Sequence, residues 1–438
     1  MPATVTAGRW TNWAGNQSAE PRQVVAPTSA EELAEVLRQA AERGRTVKAV
    51  GSGHSFTAIA SADDGVLVRP EGLTAVRELD RAAGTVTVEA GLPLAELNRL
   101  LAAAGLSLTN MGDIDVQTVA GATSAGTHGT GRDSASLAAQ IKALEIVLAD
   151  GTVRRCSPTE DPELFAGARL GLGALGVLSA ITFGVEPAFL LTAREQPMRF
   201  AEVIGSFEEL SSVNEHFEFY WFPHTDRCST KRNNRSQGPA APLPGFKAWL
   251  EDDFLSNTVW EGACRIGRAF PRSVPTIAAL ASRAWSERTY TDTAYKVFTS
   301  PRKVRFIEME YAVPRAAATE VLRELKALVE RNDWQISFPV EVRCAPADDL
   351  WLSTASGRDT VYIAVHLYRG TAEQGYFTAV ERLMTAHQGR PHWGKLHSRD
   401  AEYLAGVYPR FKDFTELRDR VDPERRFANA YLRRVLGA

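Results

Sequence analysis

Thr46-Val47-Lys48-Ala49-Val50-Gly51-Ser52-Gly53-His54-Ser55-Phe56 runs a short apolar strand straight into a glycine turn. Without a Cβ at Gly51 or Gly53, backbone N–H groups can converge on one concavity that suits a diphosphate. The spacing is not G-x-G-x-x-G, and no acidic residue closes a following strand in register, which disfavours a nicotinamide dehydrogenase. Upstream, Ser29 to Gly44 has apolar residues at helical spacing, with a Ser29/Glu32 capping box and a glycine stop. Downstream, Val66–Val68 and Thr85–Val88 read as strands and Pro93–Ala104 as a helix. Ala143–Leu148 and Thr152–Cys156 form a hairpin over Asp150-Gly151.

A second run of small residues, Thr118-Val-Ala120-Gly121-Ala-Thr-Ser124-Ala-Gly126-Thr127-His128-Gly129-Thr130-Gly131, offers many N–H and O–H donors and little bulk. Two such loops can embrace a long anionic cofactor, and their small side chains let the backbone lie against a flat ring. The texture changes at Pro187, where aromatics and isolated charges begin to alternate, as in Phe217–Phe222 and Arg305–Tyr311, and predict a second sheet. Residues 233–245 read as a Pro/Gly loop.

At 438 residues the chain exceeds one ordinary core, so two domains are expected. Fifty Lys and Arg against 53 Asp and Glu, with no basic stripe, argue against nucleic acid as a partner. Cys156, Cys228, Cys264 and Cys344 form no CxxC pair and stand beside no His at ligand spacing, so neither a disulfide framework nor a metal site is expected. The N-terminus lacks an apolar core and no stretch is long enough to span a bilayer, from which we expect a cytoplasmic protein.

In chain order, Val50-Gly51-Ser52-Gly53-His54-Ser55-Phe56, Gly126-Thr127-His128-Gly129-Thr130-Gly131, Leu172-Gly-Ala-Leu-Gly176-Val177 and Arg390-Pro-His-Trp-Gly-Lys395 resemble the vanillyl-alcohol-oxidase superfamily of FAD enzymes. The branch they resemble is that of the aldonolactone oxidoreductases and alditol oxidases, most of all its bacterial L-gulono-1,4-lactone dehydrogenases. The resemblance runs from Trp10-Thr-Asn-Trp13-Ala-Gly15 to Arg426-Phe-Ala-Asn429. It implies an α+β protein with a PCMH-type FAD-binding domain of residues 1–187, completed by 396–438. It also implies a substrate-binding cap of 188–395 around a central antiparallel sheet. By the same resemblance His54 bonds the 8α-methyl carbon of the flavin. Val50, Gly51, Ser52, Gly53, Ser55, Gly112, Asp113, Thr118, Ala120, Gly121, Ser124, Gly126, Thr127, His128, Gly176 and Val177 line the cofactor. Gly112, in Asn110-Met-Gly-Asp113, stands where the family gates oxygen. Of these, His128 is read as shaping its loop rather than reacting.

Phe338-Pro-Val-Glu341-Val-Arg343 places Glu341 and Arg343 on one face of a strand, and Val365-His366-Leu-Tyr368 offers a similar pair. Oxidising an alcohol requires loss of the O–H proton, transfer of the C–H hydride to flavin N5 and accommodation of the resulting charge. Arg343 suits charge stabilisation, and Lys395 or His366 the base. Without the family, a surface salt bridge between Glu341 and Arg343 would be the better reading. With it, Asp113, Glu341, Arg343, Tyr368 and Lys395 become substrate contacts. Asp113 replaces a serine of the family and Tyr368 a smaller hydroxyl residue, which favours a ring over a linear polyol. The expected reaction is oxidation of an aldono-1,4-lactone to its 2-keto, ascorbate-type product, with O2, a dye or a cytochrome as acceptor. A polyol oxidase and a non-catalytic flavin- or sugar-binding protein are the alternatives.

Overall fold

A computed structural model describes residues 4–6 and 8–438, with side chains from residue 8 onward. The first helix spans Ala30–Glu42, and Ser29 Oγ accepts from the Glu32 N–H at 3.2 Å. The returning half of the expected capping box goes one residue earlier. The Glu32 carboxylate accepts from the N–H and hydroxyl of Thr28, at 2.8 and 2.9 Å. Leu33, Ala34, Leu37 and Ala40 turn inward onto Val47, Val66, Val68 and Phe427. The strands beneath are parallel, ordered 23–25, 66–68, 47–49. A five-stranded antiparallel sheet stands beside them, ordered 153–156, 141–147, 177–184, 85–89, 76–80.

Residues 190–391 supply an eight-stranded antiparallel sheet in the order Arg288–Thr293, Leu190–Arg199, Arg227–Arg235, His216–Trp221, Val340–Ala345, Thr360–Tyr368, Phe306–Pro314, Arg390–Pro391. The strand 227–235 overruns the start of the expected Pro/Gly loop. Asn233 pairs with both His216 and Ala193, and Arg235 with Leu191, so ladder hydrogen bonds claim 233–235 and the loop begins at 236.

Alternation along the central strands sorts two faces. Phe217, Phe219, Trp221, Val340, Val342, Ile363 and Val365 point one way, into a core closed by the helices 200–205, 207–213, 318–331 and 376–386. Glu218, Tyr220, Glu308, Glu310, Glu341, Arg343 and His366 occupy the intervening positions and face the other way. These charges are nevertheless buried, because the first domain lies over them. The two domains also share one core, in which Leu191, Phe298, Trp351 and Trp393 pack with Leu97, Leu144 and Phe183. Among the described residues, no helix is long and apolar enough to cross a membrane.

Phe219 is fully buried in the cap core. Phe219→Ala should lower the unfolding free energy by about 3–5 kcal/mol, read from guanidinium denaturation.

Candidate active site

The two small-residue loops meet across a cleft that opens to solvent. Val50, Gly51, Ser52, Gly53, His54 and Ser55 line it from one side, Thr118, Ala120, Gly121 and Ser124 from the other, with Gly176 and Val177 at the back. The absence of side chains is obligatory here, since a Cβ on Gly51 would stand 2.2 Å from Thr118 Oγ1. Gly112, Asp113, Gly126, Thr127 and His128 lie outside this lining.

The cleft fits FAD. Its floor includes Lys48, a buried lysine whose ammonium donates to the carbonyls of Gly173 and Phe427, both at 3.1 Å, and touches no carboxylate among the described residues. Burial brings its pKa down to about 7, with only Asp422 opposing, which is the setting in which an anionic diphosphate supplies the missing counter-charge. Trp10, whose buried indole N–H has no partner among the described residues, lines the same space. Both residues escaped the sequence reading, although a lysine inside an apolar strand was the visible anomaly.

The N-terminal segment clamps the His54 turn. Trp13 N–H donates to Gly53 O at 2.8 Å, and the amides of Asn12 and Asn16 donate to Ser55 O and Phe56 O. The Trp13 ring stacks on His54, with centroids 5.1 Å apart. From the opposite side Phe56 N–H donates to Gly394 O at 2.6 Å, and the Thr57 hydroxyl to Trp393 O at 2.9 Å. This docks the Trp-Gly-Lys395 turn beside His54. Burial above all pushes the His54 pKa down to about 4, with the charge of Lys395 acting in the same direction, leaving a neutral imidazole at neutral pH.

Arg343 sits at the end of a row of alternating charge that crosses five strands. In register, Arg288 pairs with Glu195, Glu195 with Lys231, Lys231 with Glu218 and Glu218 with Arg343. Arg288 and Glu195 are 2.8 Å apart, Lys231 and Glu218 4.0 Å, Arg343 Nε and Glu218 3.0 Å. Arg343 Nη2 further contacts Glu341 and, at 3.3 Å, Asp113, which Arg302 also reaches at 2.9 Å. The pair is therefore buried, which removes the surface-salt-bridge reading: 7% of the Arg343 side chain and 10% of that of Glu341 are exposed. Burial, together with Asp113 and Glu218, outweighs Arg343 and holds the Glu341 carboxyl above its usual range. Tyr220 donates to that carboxyl at 2.9 Å. Burial opposes the charge of Asp113, but Arg343 and Arg302 hold it far below the carboxylate range.

Lys395 pairs with Glu308. Burial disfavours the ammonium, yet Glu308 and Glu310 outweigh it and raise its pKa, the reverse of the depression a lysine base would need. His366 Nε2 lies 3.5 Å from the same Glu308 carboxylate. Tyr368, by contrast, donates to Glu261 at 2.7 Å and packs against Cys264, Val304 and Phe338, which commits it to the helix 260–269. His128 stacks on Tyr362 and bonds Glu310 at 2.7 Å, tying the second loop to the sheet. Gly112 has no positive φ. Its demand is for space, since a Cβ would stand 3.0 Å from Thr127 Cγ2. Glu218, Tyr220, Arg302, Glu308 and Glu310 were missed because each lies on a segment without a signature. Only the alternation of Glu218, Tyr220, Glu308 and Glu310 with Phe217, Phe219 and Met309 marked those four, and Arg302, in the loop before the strand 306–314, had no mark at all.

His54, His392 and His397 are pushed down to about 4, 4 and 3, first by burial. His392 Nε2 meets Gly126 O and its Nδ1 accepts from the Gly394 N–H, so a second ring proton would collide with a donor. Between these values and the ordinary 6.5 the unfolded chain binds more protons. The flavin-free protein should therefore lose stability as pH falls from about 6.5 to about 3–4. Thermal midpoints across that range check it, with a shallower slope expected in His392→Gln.

Residues 181–435 match the D-arabinono-1,4-lactone oxidase family and residues 21–157 the FAD binding domain family. The L-gulono-1,4-lactone dehydrogenase of Mycobacterium tuberculosis is 45% identical over 428 residues, covering 98% of this chain and 99% of its own. The alditol oxidase of a Streptomyces species is 33% identical, covering 97% and 98%. Cholesterol oxidase from B. sterolicum shares the fold, with a TM-score of 0.83 at 18% identity over 99% of this chain and 97% of its own. With a cleft that fits FAD beside a buried set of charges, and with relatives matching over nearly its full length, the chain belongs to the D-arabinono-1,4-lactone oxidase family of FAD-dependent oxidoreductases.

Proposed function

We propose that the chain oxidises a ring hydroxyl of an aldono-1,4-lactone, L-gulono-1,4-lactone or a close relative, to the 2-keto, ascorbate-type product, with FAD bonded to His54. The observation that carries this reading is the docking of the Lys395 turn on the His54 turn. It brings a nucleophilic imidazole and the polar face of residues 188–395 into one site. FAD, when bound, accepts the hydride. The neutral ring of His54 has the free electron pair that a bond to the flavin needs. Arg343 and Lys395, both cationic, stabilise charge developing on the substrate oxygen, while Glu341, whose carboxyl is held above its usual range, orients the hydroxyls. Asp113, held between two arginines, narrows the space for a substrate, which favours a compact ring.

We assign O2 as a usable acceptor, slower than a dye or a cytochrome. Gly112→Ala would press on the Thr127 methyl at 3.0 Å and on the His128 carbonyl at 3.2 Å, so the gate is tested with Thr127→Ser added to relieve the closer contact. Reoxidation by O2 should then fall steeply while anaerobic reduction changes little, and equal reoxidation would reject the gate.

Acid precipitation should leave yellow colour in the pellet, and His54→Ala should release FAD to the supernatant. Anaerobic L-gulono-1,4-lactone should bleach the flavin before xylitol or sorbitol does; the opposite order would make the chain a polyol oxidase. Arg343→Met should lower kcat by about 100- to 1000-fold with a smaller change in KM, as when one oxyanion donor is removed. Unchanged reduction in stopped flow would take Arg343 out of the reaction.

A further inference from the structure

Two arginines share one carboxylate oxygen: Asp113 Oδ2 lies 2.9 Å from Arg302 Nη2 and 3.3 Å from Arg343 Nη2, which sets their guanidinium groups side by side. The two differ in what they have left to donate. Arg343 commits Nε to Glu218 and Nη2 to Glu341 and Asp113, and only 7% of its side chain is exposed. Arg302 commits Nη2 alone. Among the described residues nothing bonds its Nε or Nη1, and 38% of its side chain is exposed. The other donors nearby are taken, since Tyr220 donates to Glu341 and Lys395 is paired with Glu308.

The backbone beneath Arg302 is held from both domains. Ser300 N–H donates to the carbonyl of Asp113 at 2.9 Å. Asn257, buried within the helix Trp249–Val259 of the cap, donates to Pro301 O at 3.2 Å and accepts from the Lys303 N–H at 2.8 Å. The segment 300–303 thus presents a guanidinium to Asp113 with two of its nitrogens uncommitted.

We propose that Arg302 is a specificity-determining residue, donating from Nε or Nη1 to the lactone carbonyl while Arg343 holds the neighbouring hydroxyl oxygen. This rests on the reading of the site as one that oxidises a lactone hydroxyl. In a 2-hydroxy lactone the reacting oxygen and the carbonyl oxygen stand on adjacent carbons, and two adjacent guanidinium groups match that pair. A carbonyl can only accept, so it needs a donor that no carboxylate has claimed. A linear polyol carries a hydroxyl there instead, with a hydrogen of its own to place beside a cation that accepts nothing. Asp113 already balances the charge of Arg302, so a neutral carbonyl suits the position. The carboxylate of an open-chain acid would meet Asp113 and Glu341 at close range.

The test is anaerobic stopped-flow reduction of the flavin by L-gulono-1,4-lactone, which separates the Kd of the lactone from the rate of reduction. Arg302→Met should raise that Kd by about 10- to 100-fold, the worth of one hydrogen bond from a charged donor, and lower the limiting rate less. Arg302→Lys should recover part of the affinity. The companion probe is the corresponding 1,4-anhydro alditol, the same ring with CH2 in place of the carbonyl, measured as a competitive inhibitor so that no turnover is required. Its inhibition constant should be alike in wild type and Arg302→Met. Weakening of lactone and ether by the same factor would mean that Arg302 only props Asp113, and would overturn the assignment, as would an unchanged lactone Kd. If the ether does not bind the wild type, the carbonyl is itself required and the lactone Kd of Arg302→Met decides alone. Should Arg302→Met fail to fold, Arg302→Gln supplies the same comparison. A wild-type flavin bleached by neither lactones nor polyols would defeat the reading of the site, whereas lactone bleaching at wild-type affinity in the variant defeats the role of Arg302 alone.

Discussion

An arginine buried to the depth of Arg343 must be surrounded by opposite charge, because the cost of desolvating a lone guanidinium far exceeds what the fold can absorb. The chain meets this demand by extending it. Glu218 compensates Arg343, Lys231 compensates Glu218, Glu195 compensates Lys231, and Arg288 ends the series, where Glu251 and Asp252 join it at 3.0 and 2.8 Å. The active-site cation is thus one terminus of a line laid across the sheet by strand register. Because side chains alternate with a period of two, a slip of one residue in any of these strands would drive the charges into the core of Phe219 and Val342. The chemistry and the register hold each other in place.

Much of the first domain was legible in the sequence because its signals are local. Ser29 before a periodic segment, glycine turns after short strands and Asp150-Gly151 each report a backbone conformation that neighbours need not supply. The cofactor cleft was legible for a related reason: Gly51 and Gly121 face each other across a space that no side chain could share with Thr118. Glu341, Arg343 and Lys395 were named by family resemblance, and the sheet brings Glu341 and Arg343 together as their spacing implied.

The rest was hidden because it depends on pairing between distant strands. Glu308 gains its meaning from lying opposite His366, 58 residues on, and beside Lys395, neither of which a window of sequence can show. Tyr368 shares a face with His366 but stands at the end of the strand, where helix 260–269 captures its hydroxyl. Spacing predicts a face, and position along the strand decides which neighbours that face meets. The protonation states were equally out of reach, since Lys395 is governed by two carboxylates on one strand and His54 by burial and a lysine about 340 residues away.

The turn that carries His54 is finished by the far end of the chain. Trp393 and Gly394 bond the backbone at Thr57 and Phe56, Phe427 accepts from Lys48, and Asn429 donates to the carbonyls of Ala58, Ile59 and Ser61. A ribosome delivers His54 long before any of these partners leave the exit tunnel. Until then the turn lacks half of its walls, and the sheet that bears Lys395 has yet to close. Maturation of the flavoprotein therefore waits on residues 393–429, and a chain lacking residues 427–429 would emerge with its chemistry encoded in full and no finished place to perform it.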